Sequence, residues 1–146
     1  MKKIIWMQLL LIGTLSSFQS CNKGGEDKVY YEEYHLTNKS DYEIVIKSFN
    51  KTDDGYEKTN FSINRDGSVY QMVELNFGST TGIIAYADSV VLQFGNDKHI
   101  SFNPDIQSAY NILDRKNYSE TKKSENKTEY RYTFTNEDYD NASTLD

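Results

Sequence analysis

The chain has 146 residues, of which 26% are charged, and its formal net charge is −6. An acidic chain repels phosphate backbones and anionic headgroups, so the composition argues against nucleic acid as a partner. The only cysteine leaves no intrachain disulfide and no thiolate metal cage. A chain of this length is expected to form one modest core.

Residues 1–20 have the layout of a secretory signal peptide. Lys2 and Lys3 provide a positive start, residues 4–15 are mostly apolar, and small or polar residues then lead to Cys21. The apolar run is about 12 residues long, which is too short for a membrane-spanning helix of about 20 residues. We therefore expect an exported protein.

The position of Cys21 suggests how the exported protein is attached to a membrane. A signal peptide with cysteine at its cleavage point resembles that of bacterial lipoproteins, although Phe18 and Ser20 depart from the commonest residues. The resemblance implies cleavage before Cys21, lipidation of its thiol, and the membrane as a partner through that lipid. Without Lys2 and Lys3, 14 basic side chains oppose 22 acidic ones, so the mature charge is −8. Attachment is thus expected from lipid and not from a basic patch.

Residues 21–28 hold the cysteine, two glycines and charged side chains, and they predict a flexible tether. Gly24-Gly25 followed by acidic residues resembles the export signal of surface lipoproteins in Bacteroidota. A plain solvated linker explains the same residues.

Residues 29–146 have the period-two alternation of a β-rich domain. Apolar side chains of like parity form four runs: Ile44 and Ile46; Val69, Val73, Leu75 and Phe77; Val90, Leu92 and Phe94; Tyr130, Tyr132 and Phe134. Asp54-Gly55 and Asp66-Gly67 carry the signal of hairpin turns. We expect an all-β fold, either a single antiparallel β-sandwich or a small barrel, with about seven strands.

Helix is expected in two short places. Residues 105–113 predict a helix or turn with Ile106, Tyr110 and Leu113 on one side, and Thr135 predicts the N-cap of a helical turn. Residues 119–127 are polar throughout and predict an exposed hairpin loop.

The stretch from Tyr130 to Ala142, with the sequence YRYTFTNEDYDNA, resembles the ending of small lipoproteins common in Bacteroidota. The segment from Asp88 to Ile100 fits the same group. The resemblance implies a lipid-anchored location in the cell envelope, at the outer membrane, with the periplasmic and external faces both open. It implies no particular activity.

The histidines and acidic clusters lack the spacing of a catalytic or metal site. His35 and His99 have no partner at a ligand spacing, and Asp53-Asp54-Gly55 lacks the alternating ligands of a calcium loop. Glu137-Asp138 fits the first turn of a helix, and no serine lies in a nucleophile motif. We predict a protein that is not an enzyme and has no metal or cofactor.

Tyrosines are the candidate ligand-binding residues. Tyr30, Tyr31 and Tyr34 lie near the tether, and Tyr31 has the opposite strand parity, so at least one should face outward. Exposed tyrosines can stack on sugar rings, while buried ones simply fill a sheet face. The expected function is that of a non-catalytic envelope protein that contacts another protein or is structural. A glycan-binding accessory lipoprotein is the alternative.

Overall fold

Two β-sheets make up the fold of residues 28–76 and 78–144, the part of the chain that the computed structural model describes. The signal peptide, Cys21, most of the tether and Phe77 lie outside the described residues. The strands, in chain order, are β1 (Tyr31–Asn38), β2 (Ile44–Thr52), β3 (Gly55–Ile63), β4 (Ser68–Glu74), β5 (Ser89–Phe94), β6 (Lys98–Phe102), β7 (Ser119–Ser124), β8 (Lys127–Phe134) and β9 (Ser143–Thr144). One α-helix, α1 (Asn136–Asp140), and two 3₁₀ turns, Ile84–Tyr86 and Arg115–Asn117, lie between them.

The four-stranded sheet has the order β4-β1-β8-β7, and the five-stranded sheet has the order β3-β2-β5-β6-β9. β1 pairs in parallel with β8, whereas the remaining pairs are antiparallel. The all-β prediction is confirmed, and of the two expected forms the arrangement is consistent with the sandwich. The described residues contain nine strands where about seven were expected, and the parallel pair was not foreseen.

The core lies between the two sheets and follows the predicted alternation. Ile46 of β2 is directly opposite Leu92 of β5, and Leu36 of β1 is opposite Tyr132 of β8. Full burial of one large apolar side chain stabilises a fold by about 1.5–3 kcal/mol. The largest fully buried apolar side chains are Tyr34, Phe94, Phe134, Leu36, Ile44, Ile46, Ile63, Ile84, Leu92, Ile112 and Val90.

The two Asp-Gly turns have different roles. Asp54-Gly55 joins β2 to β3, which pair along their full length, so this hairpin is confirmed. The turn at residues 64–67 also forms, with Asp66 in the left-handed region at a φ of 59°. It connects β3 to β4, which lie in different sheets, so the predicted second hairpin is wrong. In β4, Val73 is buried, whereas Leu75 lies beyond the end of the strand and is exposed.

Residues 105–113, for which a helix or turn was expected, form a series of turns and no helix. The Asn111 side-chain amide donates to the carbonyls of Asn103 at 2.9 Å and Ile106 at 2.7 Å, and its oxygen accepts from Leu113 N at 3.0 Å. These side-chain bonds replace the backbone bonds of a helix. Ile106 is exposed and Leu113 is buried, so the two do not share a face.

Residues 119–127 do not form a loop, because β7 occupies most of the segment. It is an edge strand, exposed along its whole length and paired with β8. Its lysines are typical of edge strands that resist pairing with another chain. The cap at Thr135 is confirmed: its hydroxyl accepts from Glu137 N at 3.3 Å, and its N–H donates to Asp138 Oδ2 at 2.7 Å.

Candidate binding face

The outer face of the four-stranded sheet gathers most of the polar side chains that could form a site. β1 lies between β4 and β8, and its odd-numbered side chains point away from the core. The register places His35 between Tyr70 and Arg131, and Glu33 between Met72 and Glu129. We call this surface the polar face; it consists of Tyr31, Glu33, His35, Tyr70, Met72, Lys123, Lys127, Glu129 and Arg131.

Glu33 fixes the β4 side of the polar face. Its Oε1 accepts a short hydrogen bond from the Tyr70 hydroxyl and lies 2.7 Å from Lys127 Nζ. The bonds from Lys127 and Tyr70 lower the pKa of Glu33, and the same carboxylate raises the pKa of Tyr70 to about 12. The Tyr70 ring leans against His35, with the ring centroids 4.9 Å apart, and is still 51% exposed. It is therefore a fixed but accessible aromatic surface.

Glu129 fixes the opposite side. Arg131 donates to it from Nε and Nη2 at 2.9 Å each, and Lys123 Nζ lies 2.9 Å from Oε1. His35 Nε2 approaches Oε2 at 3.4 Å. The hydrogen bonds from Arg131 and then Lys123 lower the pKa of Glu129 to about 2. Like Glu33, this carboxylate is ionised at neutral pH and is covered by the side chains that bind it.

Glu33, His35 and Glu129 have the residue types of a metal site, with ligand atoms within 4.8 Å of one another. The sequence spacing did not reveal this group. However, the lysines and the arginine of the polar face already bind the two carboxylates, so a metal ion would have to displace them. The arrangement fits an ion-pair network better than a metal centre.

The predicted tyrosines do not form one surface. Tyr30 is exposed, which confirms that at least one of the three faces outward, and Tyr31 is half-buried at the edge of the polar face. Tyr34 as an exposed ligand-binding residue is wrong, because it is 1% exposed and shares the inward parity of Leu36. Its ring stacks on Tyr130 at 5.2 Å between centroids.

Glu32, next to Glu33 in the chain, points into the sandwich and forms a second carboxylate cluster. Its Oε2 accepts from the hydroxyls of Tyr34 and Tyr86 at 2.6 Å each, and its Oε1 accepts from Arg115 Nη1 at 2.8 Å. Burial, with the help of this carboxylate, raises the pKa of both tyrosines. The cluster ties β1 to the two 3₁₀ turns, and its polar groups are occupied by one another.

The remaining candidates lie apart from the polar face. His99 is in β6 of the other sheet and does not join His35. A groove of about 680 Å³ runs along the loop between β6 and β7, lined by residues such as Ser108, Asp114 and Lys116. Side-chain amides of this loop already bind several of its carbonyls, including that of Ser108, so fewer acceptors remain for a ligand.

Comparison of the chain with protein-family models, curated proteins and solved structures gave no match. Within the described ranges, no helix combines the length and the apolar character that crossing a membrane requires.

Sequence reasoning missed the polar face because its members come from four strands. The alternation in β8 does place Glu129 and Arg131 on the side opposite Tyr130, and that signal was available. What was lacking was the pairing of β1 with β8, which brings Glu33 beside Glu129 across 96 positions of sequence. No local pattern encodes that parallel register.

Proposed function

We propose that this protein is a lipid-anchored, non-catalytic contact protein of a bacterial envelope, and that the polar face is its contact surface. The observation that carries the proposal is the layered charge of that face. Exposed cations and an aromatic ring lie over two ionised carboxylates that hold them in place. Groups fixed before binding lose less entropy on binding, which favours recognition.

The place where the tether joins the sandwich leaves the polar face accessible to a partner. The carbonyl of Lys28 accepts from Asn76 at 2.5 Å, and that of Val29 accepts from Asn126 at 2.8 Å. The tether therefore joins the sandwich at one end, beside the β7–β8 turn. Seven residues between Cys21 and Val29 span at most about 25 Å. A lipid at Cys21 would hold this end near the membrane and leave the polar face along the side.

The titration of the two carboxylates supports binding over catalysis. Glycoside hydrolysis by paired carboxylates needs one group that stays protonated near neutral pH. Bonds from Lys127 and Tyr70 lower the pKa of Glu33, and bonds from Arg131 and Lys123 lower that of Glu129. Neither carboxylate is therefore suited to be that acid. The face supplies donors and an apolar ring surface, which are means of binding.

The anchor is tested by replacing Cys21 with alanine. The variant should leave the membrane fraction or accumulate as an uncleaved precursor, and a palmitate analogue should label only the wild type. Ser20→Ala, which keeps the cysteine, is the matched control and should remain membrane-bound. Unchanged fractionation and processing of the Cys21→Ala variant, together with an unlabelled wild type, would refute the anchor.

The partner of this contact surface is either a protein or a glycan, and the accessible ring of Tyr70 favours the glycan. A photo-crosslinking amino acid at Thr133, an exposed position on the same side of β8, separates the two candidates. Crosslinking to one defined envelope protein supports protein contact, whereas its absence favours the glycan. The same probe at Tyr56, on β3 of the other sheet, is the control position.

A further inference from the structure

We infer that the polar face binds an acidic glycan, with Tyr70 stacking on a sugar ring and Arg131 binding a sugar carboxylate. The inference rests on the proposed role of the polar face as the contact surface and names its ligand class. Two independent features of the face support it: the charge that it presents to solvent, and the placement of its accessible ring.

The charge presented to a ligand is positive. The side chains of Lys123, Lys127 and Arg131 are 43%, 38% and 53% exposed, whereas those of Glu33 and Glu129 are 11% and 6% exposed. A ligand therefore meets donors first, and the acceptors lie beneath them. In a mature chain whose formal charge is −8, this layer of exposed cations complements an anion.

One edge of the Arg131 guanidinium is available to bind a ligand. A guanidinium carries five N–H donors in a planar fork. Nε and Nη2 each donate to Glu129, and within the described part of the chain Nη1 has no hydrogen-bond acceptor. The Nη1–Nη2 edge can therefore donate two hydrogen bonds to a second carboxylate, in the bidentate geometry that arginine favours. Glu129 holds the plane of the guanidinium in position for it.

Tyr70 supplies the apolar part of the recognition. Its hydroxyl is committed to Glu33, so a ligand meets mainly the ring surface. The exposed side chain of Met72 lies two positions further along β4 and extends this apolar surface. Such a surface suits the C–H face of a pyranose ring.

The spacing of the two features fits a ligand longer than one sugar. Tyr70, His35 and Arg131 form a single row across β4, β1 and β8. Neighbouring strands lie about 4.8 Å apart, so the outer members of the row are separated by about 10 Å. A disaccharide unit with one carboxylate can reach from the ring of Tyr70 to the guanidinium of Arg131.

A polyphosphate ligand fits less well. Single-stranded nucleic acid is bound by stacking successive bases on several aromatic rings, whereas this row offers one accessible ring. The charge and the ring together favour a carboxylated saccharide.

The test uses the full chain purified in detergent. Its probes are oligosaccharides of galacturonate, hyaluronan and alginate, each compared with its methyl-esterified counterpart of equal length. At least one acidic series should bind, and its ester should bind at least about tenfold more weakly, since a charge-assisted bond is lost. Added salt should weaken the acidic series alone.

Variants locate the binding. Arg131→Gln and Tyr70→Ala should each weaken binding at least about tenfold, while Tyr70→Phe should keep most of it because the ring remains. The matched controls are Arg65→Gln and Tyr56→Ala, which remove an exposed arginine and an exposed tyrosine elsewhere and should change nothing. Circular dichroism checks that each variant is folded. Arg131→Lys keeps the charge without the fork and should also bind more weakly.

Three outcomes would overturn the inference: no acidic glycan binds, acid and ester bind equally, or the control variants lose as much affinity as Arg131→Gln. If no acidic glycan binds while a crosslinker at Thr133 captures a defined protein, the polar face remains a contact surface and only the ligand class is wrong. The Cys21→Ala experiment tests the anchor separately.

Discussion

Glu32 and Glu33 are neighbours in β1, and both are almost fully buried, but they serve opposite sides of the sheet. Glu32 lies inside the sandwich, where Tyr34, Tyr86 and Arg115 bind it. Glu33 lies outside, beneath Tyr70 and Lys127. The inner carboxylate is covered by the fold itself, and the outer one is covered by side chains that reach over it from solvent.

Because the two carboxylates are covered in different ways, the side chains around Glu32 should matter mainly for stability and those around Glu33 mainly for recognition. The inner cluster consists of Glu32 and the side chains that bind it. When one of these partners is removed, a buried polar group remains that water cannot easily reach, which is costly. The outer network consists of Glu33, Glu129 and the side chains that bind them. When one of these partners is removed, the carboxylate becomes exposed to water, which replaces much of the lost interaction. The inner cluster is therefore suited to hold the fold together, and the outer network can exchange partners with a ligand at little cost to the fold.

The largest effect is expected from Glu32→Ala. Two tyrosine hydroxyls and Arg115 lose their acceptor, so the free energy of unfolding should fall by about 3 kcal/mol. Urea denaturation measures the loss, and Glu33→Ala is the matched control at about 1 kcal/mol. An equal decrease in the free energy of unfolding in both variants would contradict the distinction between the inner cluster and the outer network.

Removing single hydroxyl groups tests the same difference between the inner and the outer side of the sheet. Tyr34→Phe removes a buried bond to Glu32 and should lower the free energy of unfolding by about 1.5 kcal/mol. Tyr70→Phe removes a bond at the surface and should lower it by less than about 0.5 kcal/mol. The two variants are compared by urea denaturation in the same buffer, and a greater loss for Tyr70→Phe would contradict the comparison.

Acid should weaken the outer network through Glu129. Its pKa is lowered from the ordinary 4.5 to about 2 by Arg131 and Lys123. The stabilisation is thus complete above the unfolded-state pKa and is lost as the pH falls from about 4.5 towards 2. Glu129→Gln should flatten this part of the stability–pH profile. Glu125→Gln, which alters an exposed carboxylate, should leave its shape unchanged.

The smallest effect is expected from Lys123→Ala. Arg131 still binds Glu129 at two points, and the lost pair is accessible to solvent. The urea midpoint should therefore stay within experimental error at low and high salt. A clear drop at low salt would show that the outer network contributes more to stability than its exposure indicates.

Much of the fold could be predicted from local pattern. β2, β5 and β8 alternate apolar with polar side chains because one face of each packs on the core, and their inward residues were identified correctly. β7 was missed because neither of its faces is buried, so no apolar period exists to detect. The local pattern could not decide between a helix and a turn around Asn111, because side-chain hydrogen bonds to the backbone leave no hydrophobic signature.

The candidate site could be predicted only in part. Alternation assigns Tyr31 and Tyr34 to opposite faces, and Leu36, which shares the parity of Tyr34, indicates which face is the core. The partners of Glu33 and His35 depend on which strands flank β1, and that is a property of the whole chain. Tyr70 and Glu129 therefore could not be assigned to them in advance.

The parallel pairing of β1 with β8 has a consequence for how the chain is made. β1 leaves the ribosome first, yet one of its two neighbours is encoded almost a hundred residues later. Until β8 is available, one edge of β1 has unsatisfied backbone groups and can pair with other chains. Completion of the four-stranded sheet thus waits until β8 has been synthesised, and a chain cut before Lys127 should aggregate and not form a smaller stable domain.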